Sequence, residues 1–185
     1  VQETYINLER LCQFAGARFL CGKVIGLELV TKRLLLDNRP SLHYDVLSLN
    51  IGSVPEFVFD GALSIKPISE FEKHLHFLDQ NIKTGQTLTV LGSGAAGIEL
   101  SFSLRARYKD QIAINLIGND LPTGINSRSS RVFHKEFARK NIQFVEGQVV
   151  DFERNFVTLE GGTKIKTDYV IQATGVAAHA WIELS

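Results

Sequence analysis

A glycine-rich turn in the middle of the chain constrains the fold more than any other feature. Thr87–Leu91 is a short apolar run, and Gly92, Gly94 and Gly97 follow it in a Gly-x-Gly-x-x-Gly pattern. A helical pattern over 95–109 begins at once. The first glycine of such a pattern permits a tight turn, the second lets a ligand approach the backbone, and the third lets helix and strand pack closely. The pattern predicts the strand–turn–helix unit of an α/β protein with a parallel sheet.

The start of this helix is a predicted anion site. Its first backbone N–H groups lack partners within the helix, and the helix dipole is positive there, so phosphate is favoured. We therefore predict that a diphosphate joining two nucleosides binds at Gly92, Ser93, Gly94, Ala95, Ala96 and Gly97. Glu99 is a further candidate, although the dipole favours a carboxylate there with or without a ligand. A glycine-rich turn that binds nothing is the alternative interpretation.

The residue that would bind a ribose is less clear. In dinucleotide-binding units an acidic residue follows the next strand, about 20 residues after the turn. Here Gly118 occupies that position, and Asn119 and Asp120 come directly after it. We take Asn119 and Asp120 as the ribose candidates, and the pattern leaves NADH and NADPH both open. Arg128 and Arg131 could neutralise a 2′-phosphate, but arginines on a helix face are more often solvated.

Hydrophobic periodicity and turn residues predict the remaining elements. In the first third we expect a helix over 8–15, capped by Asn7 and stopped by Gly16, and strands over 17–21, 23–30, 33–36 and 44–50. A helix over 70–80 follows, with Ser69 and Glu72 as a capping box and Phe71, Leu75 and Leu78 as its apolar face. After the turn we expect strand 111–117, helix 128–140, strand 142–146, an antiparallel meander over 148–166 and strand 168–173.

The chain contains an internal repeat. Residues 17–28 resemble 142–153, with Phe19 and Gly22 corresponding to Phe144 and Gly147. Only the second copy is preceded by a glycine-rich turn. The sequence also starts at Val1 and contains 0 Met. We therefore expect one complete unit and the back half of another, within a longer protein.

Composition excludes several classes of function. Lys+Arg and Asp+Glu both number 20, so no net charge attracts nucleic acid or an anionic membrane. No apolar run is long enough to span a bilayer, and the first residues do not show the basic-then-apolar pattern of a signal peptide, so we expect none. Cys12 and Cys21 do not form a Cys-x-x-Cys pair, and the five histidines lack metal-ligand spacing. We expect no nucleic-acid partner, no integral membrane segment, no metal and a cytoplasmic location, with peripheral membrane association left open.

Three features in order resemble the pyridine nucleotide-disulfide oxidoreductase superfamily, in its type II NADH dehydrogenase-like branch. They are Tyr44 to Ser53, the Gly-x-Gly-x-x-Gly-x-Glu turn from Gly92 to Glu99, and the apolar strand ending in Ala173-Thr174-Gly175. The sequences of several segments are similar to those of flavoproteins that stand alone or are fused to a selenide, water dikinase domain. Two positions depart from the family: Asn50-Ile51-Gly52 replaces Ala-Thr-Gly, and Gly118 replaces the usual acid.

The resemblance implies a layout and a chemistry. Residues 1–62 would be the end of the first FAD-binding segment, 63–170 a Rossmann-like NAD(P)H domain, and 171–185 the return to a partial FAD domain. Gly52, Thr174 and Gly175 would lie near the flavin at the two crossovers. NAD(P)H would pass hydride to the FAD of the full-length parent, and the flavin would reduce a quinone-like or other small electron acceptor.

Several alternatives stay open. The same fold could serve as a non-catalytic redox-sensing or regulatory module that binds a dinucleotide. A methyltransferase also has a glycine-rich first turn, but the meander and the closing Ala-Thr-Gly disfavour it. A homodimer and a fused dikinase domain in the parent are further expectations, and the exposed sheet of residues 1–62 is expected to self-associate.

Overall fold

A computed structural model describes residues 6–121, 127–153 and 155–183. The chain divides into two compact units: the first comprises 1–51 and 178–185, and the second comprises 52–177. The larger unit contains the glycine-rich turn and is an α/β fold with a parallel sheet and an antiparallel meander, as the sequence predicts.

The parallel sheet of the second unit has five strands in the order β5-β12-β6-β7-β8. The strands span β5 (Leu63–Ser64), β6 (Thr87–Leu91), β7 (Ala113–Gly118), β8 (Ile142–Glu146) and β12 (Tyr169–Gln172). All four neighbouring pairs run parallel, and the central strands are buried on both faces. Such strands need cover on both sides, which explains the two layers that pack against them.

Helices cover one face of this sheet, namely α2 (Ile68–Asn81), α3 (Ala95–Tyr108) and α4 (Ser127–Arg139), with a 3₁₀ turn at Lys109–Gln111. Leu78, Ile98, Leu104 and Phe137 are buried beneath them. A three-stranded antiparallel meander covers the other face and consists of β9 (Val149–Glu153), β10 (Phe156–Leu159) and β11 (Lys164–Lys166). The short strands β4 (Val54–Pro55) and β13 (Val176–Ala177) pair antiparallel.

Helix α2 begins earlier than predicted, and the capping box is wrong. Pro67 is the N-cap, its carbonyl accepts the N–H groups of Glu70 and Phe71, and no side chain caps the helix. Ser69 therefore lies inside the first turn, where its hydroxyl cannot act as the N-cap. The predicted apolar face is confirmed, since Leu78 is buried and Phe71 and Leu75 pack against the core.

The first unit contains α1 (Leu8–Phe14), a meander of β1 (Val24–Glu28), β2 (Arg33–Leu36) and β3 (Arg39–His43), and α5 (Ala180–Glu183). The cap is as predicted, because the side chain of Asn7 accepts the N–H of Arg10 at 3.0 Å. The meander matches β9–β11 in order and pairing, which supports the internal repeat.

Two predicted strands of the first unit are wrong. Residues 17–21 and 44–50 are not strands, and the last strand of the meander is β3, which lies earlier in the chain. The alternation of Ile25, Leu27 and Leu29 is also broken, because β1 has a bulge between Val24 and Gly26. A strand pattern needs a neighbouring strand to pair with, and β3 occupies the place beside β2.

Candidate functional site

The glycine-rich turn connects β6 to α3 at the carboxyl edge of the sheet. Gly94 is the N-cap of α3, with φ −67° and ψ 176°, and its carbonyl accepts the N–H of Ile98 at 3.1 Å. Glycine has no side chain to cap the helix, and Gly94, Ala95 and Ala96 are exposed. The first-turn N–H groups are therefore available to an anion outside the protein.

Gly97 lies where helix and turn approach most closely. A Cβ at Gly97 would stand 1.8 Å from the carbonyl oxygen of Gly92, far inside van der Waals contact. Only glycine allows this approach, and Gly92 itself adopts a positive φ of 107°. The helix start is consequently held tightly against the end of β6.

A groove of about 570 Å³ opens beside this turn, where β6, β7, β8 and β12 end. It brings together many of the residues that the sequence predicts: Gly92, Ser93, Gly94, Asn119, Asp120, Thr174 and Gly175. Ligands of open α/β sheets bind at such carboxyl edges, outside the ends of the strands. The volume lies within the range of small-molecule sites.

A second cavity of about 440 Å³ also borders the turn. Ala95, Glu99 and Phe133 line it, and it shares Ser93, Gly94 and Asp120 with the groove. The exposed helix start therefore borders two concave surfaces that share these residues.

Some predicted residues lie elsewhere. Ala96 and Gly97 line neither cavity; Gly97 is buried in the packing of helix on turn. Gly52 has φ +70° and is also absent from both linings. Arg131 lines neither cavity, and the side chain of Arg128 lies outside the described residues.

Packing explains why the last residue of β7, Gly118, is not an acid. The Ser93 hydroxyl donates to the carbonyl of Asp120 and occupies the space above Gly118. A Cβ at Gly118 would stand 2.2 Å from Ser93 Oγ, so no side chain fits there. Asp120, two residues after Gly118, is exposed and lines both cavities.

The charge of the site comes from carboxylates. Glu56, Glu99 and Asp120 line the cavities, and among the described lining residues there is no Lys, Arg or His. A bound diphosphate would be stabilised by backbone N–H groups and the dipole of α3, which suffice in many dinucleotide sites.

Sequence reasoning missed one wall of the groove. Glu56, Phe57 and Phe59 line it, although they lie some distance before the turn in sequence. The pairings β4–β13 and β5–β12 bring this segment to the end of β12. The one available signal is Gln172, a polar residue in an otherwise apolar strand.

Comparison with known families identifies this arrangement. The family model described as pyridine nucleotide-disulphide oxidoreductase matches residues 12–182. The chain belongs to this family. Members and structural neighbours of the family are FAD- and NAD(P)H-dependent reductases.

Individual relatives are distant. The chain is 24% identical over 150 residues to an NADH oxidase of Methanocaldococcus jannaschii, covering 75% of this chain and 33% of that protein. It is 23% identical over 166 residues to the NADH dehydrogenase-like protein YutJ of Bacillus subtilis, covering 84% and 45%. The chain thus spans a third to just under half of these relatives.

The fold also matches solved structures. Reduced CoADR-RHD of Bacillus anthracis superposes with a TM-score of 0.80 at 21% identity, over 98% of this chain and 35% of that chain. At this identity the likeness establishes the fold.

The described residues contain neither a membrane-spanning helix nor a cluster of metal-binding side chains. None of their helices combines the length and hydrophobicity that crossing a bilayer requires. No three His, Cys, Asp or Glu side chains among them are grouped so as to hold a metal ion.

Proposed function

We propose that the chain carries the NAD(P)H-binding part of an FAD-dependent NAD(P)H oxidoreductase. In the parent enzyme, hydride would pass from NAD(P)H to the flavin and then to a quinone-like or other small acceptor. The observation that carries the proposal is the exposed start of α3 at Gly94, bordered by two cavities at the carboxyl edge of the sheet.

The residues present fit a dinucleotide. A Cβ built at Gly94 would meet no atom within 4 Å, so the backbone there is open to a ligand, whereas Gly97 is fully packed. The N–H groups of the first turn would hold the diphosphate, with Ser93 keeping the turn in place through Asp120. The bound cofactor supplies the hydride; these residues bind and orient it.

Asp120 would bind the ribose of the adenosine half. Its carboxylate can accept hydrogen bonds from ribose hydroxyls and would repel a 2′-phosphate. On these grounds NADH is the preferred donor.

The first unit exposes apolar surface that further chain of a flavin-binding domain would cover. None of its described residues is buried. Large apolar side chains are almost fully exposed, for example Phe14 at 91%, Val30 at 99% and Val46 at 90%. A domain of the parent that is completed by further chain would cover such surface. The relatives' greater length supports residues 1–62 and 171–185 as parts of an FAD domain, with Gly52, Thr174 and Gly175 near the flavin.

A non-catalytic module that senses the NADH level is the second candidate. Asn50-Ile51 in place of Ala-Thr at the first crossover favours it, as does the position of Gly52 outside the groove. Adding NADH to the full-length protein separates the two: loss of flavin absorbance indicates turnover, and binding without such loss indicates the sensor.

The affiliation with the dikinase-fused subgroup is a proposal from sequence resemblance alone. The same holds for a fused dikinase domain, a homodimer and a cytoplasmic location. The mass of the native polypeptide and its mass in solution test the fusion and the dimer.

Isothermal titration calorimetry of the 185-residue chain tests the proposed function. We expect NADH to bind at one site with a Kd of about 1 µM to 1 mM, the range that KM values of enzymes for their substrates span. NADPH should bind at least about tenfold more weakly, a difference of about 1.4 kcal/mol. Absence of NADH binding would refute the assignment, and equal affinities would refute the role of Asp120.

A further inference from the structure

A buried amide connects the end of β12 to the missed wall of the groove. Gln172 is the last residue of β12 and is 3% exposed. Its Nε2 donates to the carbonyl of Phe57 at 2.9 Å and to the hydroxyl of Thr174 at 2.9 Å. Its Oε1 accepts the backbone N–H of Phe59 at 3.0 Å.

These bonds fix the side chain and the segment together. Both N–H groups of the amide donate and its oxygen accepts, so a buried polar group is fully satisfied. Turning the amide over would place NH₂ against an N–H and oxygen against a carbonyl, which the network excludes. An amide with one allowed orientation therefore holds residues 57–59 against the end of β12.

The held segment presents aromatic surface to the groove. The rings of Phe57 and Phe59 meet edge to face with centroids 5.0 Å apart, and both line the groove. Phe57 remains 50% exposed, so part of its ring is free for a ligand. Glu56 lies beside Gly175 at the same end of the groove.

The sheet order indicates which half of a dinucleotide reaches this wall. β6 and the diphosphate position lie between β7 and β12. Asp120, the ribose candidate of the adenosine half, follows β7. A dinucleotide that crosses the strand ends with its diphosphate at α3 therefore extends its nicotinamide half towards β12.

We propose that Gln172 is a positioning residue that fixes Phe57 and Phe59 as the wall for the nicotinamide half of the dinucleotide. This inference rests on the proposed function. Gln172 does not itself contact the ligand; it sets the position of the segment that does.

The test compares two ligands on matched variants of the 185-residue chain. ADP-ribose has the adenosine, diphosphate and second ribose of NADH but lacks nicotinamide. Gln172→Leu removes the network, and Phe57→Ala removes the exposed ring without touching a buried polar group. Thr89→Val is the control. Thr89 is 0% exposed and does not line the groove, and the substitution removes the 2.8 Å hydrogen bond that its hydroxyl donates to Thr167 Oγ1.

We expect Gln172→Leu and Phe57→Ala each to weaken NADH by about tenfold while changing ADP-ribose by less than about twofold. Thr89→Val should leave the ratio of the two affinities unchanged. If both ligands weaken equally in Gln172→Leu, or if Phe57→Ala has no effect on NADH, the inference fails and the proposed function stands. If the unmodified chain binds neither ligand, the proposed function itself fails.

Discussion

Gly97→Ala is the most informative single substitution for the geometry of the turn. The added Cβ would stand 1.8 Å from the carbonyl oxygen of Gly92 and 2.9 Å from its carbon. Reaching ordinary contact of about 3.4 Å requires the helix start to move by more than about 1 Å. Such a shift disturbs Ile98 and Leu104, which α3 buries against the sheet at 3% and 1% exposure. The substitution therefore strains a well-packed interface.

The magnitude follows from two opposing terms. Overpacking of a close-packed core costs about 1–3 kcal/mol, and a backbone clash of this severity belongs at the upper end. Alanine gains up to about 1 kcal/mol over glycine in a helix, a smaller gain at the first turn. We expect a net loss of about 2–3 kcal/mol, measured by urea unfolding with linear extrapolation. A midpoint equal to or above that of the unmodified chain would refute the close approach.

Gly94→Ala is the matched control for this substitution. A Cβ at Gly94 meets nothing within 4 Å, and its φ of −67° suits any residue. Loss of glycine at an N-cap costs at most about 1 kcal/mol. The new methyl group would nevertheless occupy the space predicted for the diphosphate. We expect a stable protein that binds NADH at least about tenfold more weakly; wild-type affinity would contradict the placement of the diphosphate.

Three further predictions concern other parts of the chain. The Arg107 guanidinium, through its hydrogen bonds, lowers the pKa of Asp79, and burial together with Asp79 raises the pKa of Tyr108 to about 12. The ionised Asp79 stabilises the fold fully when the pH is above the ordinary aspartate pKa of about 3.9. This stabilisation is lost as the pH falls through the lowered pKa of Asp79. Asp79→Asn should cost about 1 kcal/mol at pH 7 and flatten the decline in urea stability below pH 4; an unchanged decline would show that the pair contributes nothing. The 185-residue chain should retain less than about one-tenth of an FAD per chain, and a full flavin absorbance band would contradict an incomplete flavin site. The exposed apolar side chains of the first unit should cause self-association, so a monomeric light-scattering mass at high concentration would show that this surface is tolerated.

The second unit could be predicted well from the sequence because several signals agree there. The apolar strands, the glycine spacing and the helical pattern after the turn all indicate the same βαβ unit. The structure confirms the strands at Thr87–Leu91 and Ile142–Glu146 and the helix from Ala95. Agreement between local pattern and fold is what makes a segment predictable.

The first unit was predicted less well, since alternation alone cannot show which strand finds a partner. Residues 44–50 have a strand-like composition, yet β3 at Arg39–His43 pairs with β2 in spite of Pro40. An edge strand tolerates proline because one side of its backbone needs no partner. Likewise, the pattern of Ser69 and Glu72 is a valid capping box, but the carbonyl of Pro67 starts α2 two residues earlier.

At the site, sequence spacing located the phosphate turn but missed the groove wall. The family pattern places an acidic residue at position 118, where this chain has glycine. Only the structure shows that Ser93 fills the space that a side chain at position 118 would need. Gln172 and Phe57 are 115 residues apart, so their contact is set by sheet topology and is invisible to local motifs.

Amide mapping of the isotope-labelled chain during NADH titration is the decisive test of diphosphate binding at the start of α3. If the diphosphate rests on the start of α3, the N–H signals of Gly94, Ala95, Ala96 and Gly97 should shift together and saturate with the calorimetric Kd. If NADH binds while these signals stay unchanged and shifts cluster away from the carboxyl edge of the sheet, the dinucleotide site lies elsewhere and the start of α3 does not bind the diphosphate.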